Sequence, residues 1–182
     1  MPLTPDQAAQ SLNDLTEVER RSSQAYRYSR GAPYFLIWGL VWMLGYGAEA
    51  LAPALANWTW LGLILCGVGS SVFVSHAGNA QGRYASWRFT ALFGVIALFT
   101  IALFAVMPPA NPLQMGAYWP LLFGAIYAAA GLWMGLRYIA IGAFLTAATL
   151  GAYFLFRDYF LLWMALAGGG SLFLTGLWLK RV

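Results

Sequence analysis

Glu49 is the residue whose type and place most suggest chemistry. It stands two residues from the end of the apolar block Pro33–Leu51, in a chain where the other apolar blocks contain no acid. A carboxylate in hydrocarbon is costly to hold, so it is a functional candidate wherever it occurs. One reading makes Glu49 a proton- or cation-responsive group lining an outward-facing cavity. The plainer reading makes it an ion pair with Arg157, or a solvated group at the outer surface. Trp42, Tyr127, Trp133, Tyr153 and Trp163, with Thr100, Thr146 and Thr149, have the composition of an aromatic, weakly polar pocket. Tyr153 falls near the position of Glu49 when Gly151 is aligned with Gly47. Such a pocket takes a small apolar or cationic molecule. The alternative is plain packing or lipid contact.

Other chemistries fare worse. There is one histidine, His76, and one cysteine, Cys66. A paired-histidine haem within one chain is therefore excluded, although His76 remains open as a single ligand. No zinc or di-iron spacing occurs, and "GGGS" at Gly168 has no lysine after it, so it is no phosphate loop. Cys66 reads as a small buried hydrophobe. Ser70 and Ser71 lie five or six residues before His76, a spacing that does not place them on its helical face. No catalytic residue, metal or cofactor is expected, and the chain reads as non-enzymatic. The small residues Gly69, Ser70, Gly131, Gly135, Gly170 and Ser171 read instead as points of close helix packing.

The elements that must position these side chains follow from composition. Of 182 residues, 61% are hydrophobic and 9% charged, against about 25% charged in soluble domains. The apolar residues form six blocks, Pro33–Leu51, Trp58–Ala77, Phe89–Met107, Ala117–Leu136, Tyr138–Phe156 and Tyr159–Leu179. About 20 apolar residues cross a bilayer as a helix. Trp38, Trp58, Trp60, Trp87, Trp119 and Trp178 stand near block ends, as in an interfacial aromatic belt. Only Arg137 separates the fourth block from the fifth, which requires a tight hairpin near Gly135. The fold expected is all-α: a polytopic membrane protein with six transmembrane helices over 33–182.

Orientation follows from the cations. Arg20, Arg21, Arg27, Arg30, Arg83, Arg88, Arg137, Lys180 and Arg181 fall on one side, and Arg157 on the other. The first side is then cytoplasmic, with both termini inside. The net charge of +4 serves topology and signals no nucleic acid. The expected setting is the cytoplasmic (inner) membrane of a bacterial cell. "RY" recurs at Arg27, Arg83 and Arg137, each before an outward-going block, and "LILCGVGSSVFVS" is similar to "MALAGGGSLFLTG". These echoes predict three consecutive hairpins, an internal repeat of the transporter kind. Arg and Tyr also favour the inner interface for their own reasons.

Residues 1–32 form the one long polar segment. Thr4, Pro5 and Gln7 read as a helix start, and Ala8, Leu12 and Leu15 as a narrow apolar stripe. This segment predicts a cytoplasmic amphipathic helix, with Leu12, Leu15, Arg20 and Arg21 as its partner-binding residues. Two functions fit. The first is a small-molecule binding or transport component of the membrane. Its size and six-span layout resemble the substrate-binding subunits of energy-coupling-factor vitamin transporters, with no shared motif. The second is a regulatory or assembly subunit that engages a membrane-protein partner through its N-terminal helix. A homo-oligomer suits both.

Overall fold

Hydrocarbon offers no partner to backbone N–H and C=O groups, so an apolar block inside it must satisfy its own backbone as a helix. The computed structural model follows that rule. It describes the backbone over 5–78 and 85–180, and side chains over 29–77 and 94–180 with a few more in the first and third helices. Six helices follow one another: α1 (Pro5–Leu51), α2 (Ala56–Gly78), α3 (Ala85–Val106), α4 (Pro112–Met134), α5 (Leu136–Leu155) and α6 (160–180). Helix α6 is α-helical over Phe160–Trp163, π-helical over Met164–Gly169 and α-helical again over Gly170–Lys180.

Among the described residues, five segments are long and apolar enough to cross a membrane: Ser29–Leu51, Pro53–Ala77, Pro112–Met134, Leu136–Leu155 and Arg157–Lys180. Gly94–Val106 of α3 is a shorter apolar helix within the described residues. These overlap the expected blocks; Ser29–Leu51, Pro53–Ala77 and Pro112–Met134 begin four or five residues early, the last as helix α4. Asn111 explains the early start of α4. Its side chain accepts from the Gln114 backbone N–H at 2.9 Å, the Gln114 Oε1 accepts from the Ala110 N–H at 2.7 Å, and Pro112 opens the helix.

The expected N-terminal helix and the expected first span are one element. Helix α1 runs for 47 residues, with Pro33 inside it, and is about 70 Å long at 1.5 Å per residue. Pro5 opens it, while Thr4 lies outside the described residues.

The hairpin expected near Gly135 is present. Helix α4 ends at Met134, Gly135 adopts φ 119°, and α5 begins at Leu136. A side chain at that φ is strained, so Gly135→Ala is expected to cost about 1–2 kcal/mol. Thermal unfolding in detergent measures it.

Packing order departs from three consecutive hairpins. The most extensive associations are α4 with α5 and α1 with α6, while α3 makes no extensive association among the described residues. Glycines explain the two tight pairs. A Cβ on Gly39 would fall 2.5 Å from the Phe173 amide nitrogen, and one on Gly169 would fall 2.5 Å from that of Met43. A Cβ on Gly142 would meet the Gly124 carbonyl and, at 2.5 Å, the Ala128 amide. Backbones that approach this closely gain dispersion contacts along the whole seam, the main attraction between helices in lipid.

Helix α2 lies against α1 along one edge, where Gly67 meets Val41 and Trp38. Trp58, Leu65 and Phe73 of α2 are exposed. Cys66, expected to be buried, is exposed as well, because it sits on the face of α2 turned from α1. In a bilayer that face meets lipid rather than water.

Candidate functional site

The interior is a chain of aromatic rings, and Tyr46 is its hub. Tyr46 is buried, at 2% exposure. Its ring meets Trp42 of the same helix, Trp60 of α2 and Phe160 of α6, all edge-on, at centroid distances of 6.0, 5.1 and 6.4 Å. Edge-to-face pairs are favourable because the positive rim of one ring meets the negative face of the other. The chain continues from Trp42 to Phe123 and Tyr127 of α4, then to Phe35 of α1 and Tyr138 of α5.

The Tyr46 hydroxyl has a defined partner for a reason legible in the sequence. Pro120 lies inside α4 and has no N–H to give the carbonyl four residues earlier. That carbonyl belongs to Gly116, and the Tyr46 hydroxyl donates to it at 2.7 Å. Tyr46 thereby ties α1 to α4 by a hydrogen bond and to α2 and α6 by ring contacts. Tyr46→Phe keeps the rings and removes the donor. An unmet buried carbonyl costs about 1–3 kcal/mol, so a loss of that size is expected in chemical unfolding, with the helical content of the folded state unchanged.

Glu49 lies one turn beyond Tyr46. Its Oε2 accepts from the Trp60 indole N–H at 2.8 Å. The expected ion pair with Arg157 is not formed; Arg157 instead lies 5.9 Å from the centroid of the Tyr153 ring. Glu49 is half-buried, so its carboxylate keeps access to the interface while one oxygen is held by Trp60.

The other expected pocket residues divide. Trp42 and Tyr127 belong to the aromatic chain, each with its ring against Phe123. Tyr153 is set apart, against Phe154, in an open groove of about 340 Å³ with Gln114, Tyr118, Thr149 and Leu150. Trp163 stacks on Phe156 at 4.8 Å and donates to the Ala148 carbonyl at 3.0 Å, tying α6 to α5. Trp133 is exposed. Thr100 donates to the Ile96 carbonyl, so Tyr118 donates to Thr100 at 2.7 Å; with the Phe104–Tyr118 ring contact this attaches α3 to α4.

The expected packing residues divide too. Gly131 meets Ile139 across the hairpin that Gly135 turns. Gly69 and Gly170 face open space, Ser70 is exposed, and Ser171 donates to the Gly168 carbonyl at 2.9 Å within its own helix. Gly170 and Ser171 line a second open groove, of about 380 Å³, with Met43, Phe144 and Leu174. His76 lies exposed with Nδ1 2.9 Å from the Val72 carbonyl oxygen. The side chains of Leu12, Leu15, Arg20 and Arg21 lie outside the described residues. Gly39, Gly142 and Gly169, and the Tyr46–Gly116 hydrogen bond one turn before Pro120, were not expected from the sequence. A proline inside an apolar block marks a carbonyl in need of a donor, and that signal was available.

Among the described residues the chain is all-helical, with several helices long and apolar enough to cross a membrane. No protein-family model, no curated protein and no solved structure matches it.

Proposed function

We propose that this protein is a non-enzymatic regulatory or assembly subunit of the cytoplasmic membrane, acting on a partner protein through the N-terminal arm of α1. The observation that carries the reading is the continuity of α1. The arm, residues 5–28, runs without a helical break into the segment that supplies Ala32, Phe35, Val41, Trp42 and Tyr46 to the core. A partner that tilts or holds the arm therefore acts directly on the central helix of the bundle. Arg30, Arg137 and Lys180 stand at the end of the bundle from which the arm emerges, and Arg157 at the other, which supports a cytoplasmic arm.

Removal of residues 1–26 tests it. The expected result is loss of the co-purifying partner, with bundle unfolding unchanged. A partner retained after the deletion contradicts the proposal.

A second reading, binding or transport of a small apolar or cationic molecule, draws support from Glu49 and the two open grooves. Here the molecule reaches the bundle from the bilayer, and Glu49→Ala abolishes its binding.

A further inference from the structure

Helix α4 is held differently on the two sides of Pro120. From Gly124 to Gly131 it is locked to α5 by close backbone approach. A Cβ on Gly124 would fall 2.5 Å from the Thr146 hydroxyl and 3.1 Å from the Gly142 carbonyl oxygen. One on Gly131 would fall 2.6 Å from the Ile139 amide nitrogen. Between Pro112 and Trp119 the only glycine is Gly116, and it meets α6 instead, with the Phe160 ring 3.0 Å from a Cβ placed there. Here an open groove of about 340 Å³ lies between α4 and α5. Gln114, Ala117 and Leu121 line it from α4, and Thr149, Leu150 and Tyr153 from α5.

The segment before Pro120 is therefore held from the α1–α6 side. The Tyr46 hydroxyl donates to the Gly116 carbonyl, which Pro120 leaves without a helical donor. This bond and the groove lie on opposite faces of α4. Gln114, Ala117 and Leu121 share one face through steps of three and four residues. Gly116, two residues past Gln114, is turned about 200° from it. A rotation at Pro120 that takes the segment away from Tyr46 thus carries it into the groove. Helix α3 goes with it, because its described ties to α4, the Thr100 hydrogen bond and the Phe104 ring contact, both end on Tyr118.

We propose that Pro120 is a latched hinge. The α4 segment from Pro112 to Trp119, with α3, has a second position against α5 in the groove, and the Tyr46–Gly116 hydrogen bond selects the position seen here. Helices bend at proline because one backbone bond of the turn is missing. The turn from Gly116 to Pro120 therefore has no backbone hydrogen bond to lose when it flexes. A change of about 20° at Pro120, the size of a proline kink, moves Pro112 by about 4 Å over a segment of about 12 Å. Tyr46 belongs to α1, so a displacement of α1 reaches α3 and α4 through this bond. The hinge is a property of the bundle and is independent of what the N-terminal arm binds.

Spin-label distances in the full chain, in lipid nanodiscs and on a Cys66→Ser background, test this. Labels at Leu51 and Ala110 span α1 and the hinged segment. Labels at Leu40 and Leu132 span α1 and the part of α4 locked to α5. All four side chains are exposed. Tyr46→Phe removes the latch and keeps the ring. It is expected to raise the ratio of a second Leu51–Ala110 distance to the first by about 10-fold, as the loss of one hydrogen bond gives. The Leu40–Leu132 distance should stay unchanged. Pro120→Ala returns an N–H to the Gly116 carbonyl, so Tyr46→Phe should shift the ratio no further on that background. Leu150→Trp fills the groove and should suppress the second distance. An unchanged Leu51–Ala110 distance in Tyr46→Phe overturns the proposal, as does an equal change in the Leu40–Leu132 pair. A Tyr46→Phe effect undiminished by Pro120→Ala or by Leu150→Trp overturns it too.

Discussion

Gly39→Val is expected to part α1 from α6 and to destabilise the bundle by about 3 kcal/mol or more, the upper range for overpacking a close-packed site. The reason is that the obstacle is backbone. The added Cβ would fall 2.5 Å from the Phe173 amide nitrogen and 2.8 Å from its Cα. A side-chain tip could rotate away, but two helix axes must separate. Separation breaks the neighbouring contact too, because Gly169 approaches Met43 on the same seam. Gly69→Val is the matched control. Gly69 faces open space, so that change should alter stability little. Unfolding of both variants in detergent and denaturant gives the comparison. Equal losses would show that the α1–α6 seam is not the main tie of the bundle.

Trp42→Ala is expected to cost about 3 kcal/mol, the low end for deleting a buried large aromatic. Trp42 is 5% exposed and links the rings of Tyr46 and Phe123. Its removal leaves a void in the middle of the aromatic chain, and the loss is mainly of dispersion contacts. In lipid the unfolded reference also surrounds the indole with hydrocarbon, which keeps the cost at the low end of the range. The result bears on function as well. If Trp42 lined a ligand pocket, its removal would abolish ligand binding with little loss of stability. As a packed core residue it should do the reverse.

The spans were legible in the sequence because length, hydropathy and charge are local properties. Five of the six blocks overlap membrane-length segments of the structure. Gly135 was legible as well, since two apolar blocks abutting at Arg137 leave room only for a tight turn. Which helices pack together was not. Spans that are apolar all round present no face that a periodicity can choose. Gly39 and Gly169 lie on a seam while Gly62, Gly69 and Gly94 face open space, and the letter is the same in each case. The repeated Gly-Ser pair illustrates this, for neither Gly69 nor Gly170 touches a neighbouring helix. Glu49 was legible as the one acid of the apolar blocks, but its hydrogen-bond partner was not. Trp60 read as a belt residue, and only the packing of α2 on α1 turns its indole N–H toward Glu49. Helix α1 misled in another way. The polarity change near residue 32 suggested a boundary, yet composition changes there without any break in the helix.

Under the proposed function this bundle serves a partner protein rather than a cargo. Native mass spectrometry of the detergent-extracted full chain tests that claim most directly, read together with the same protein lacking residues 1–26. The expected result is a defined partner protein bound to the full chain and absent from the shortened one. No stoichiometric small molecule other than phospholipid is expected in either. A stoichiometric small molecule held by both forms, and lost in Glu49→Ala, would contradict it and make this a binding or transport protein.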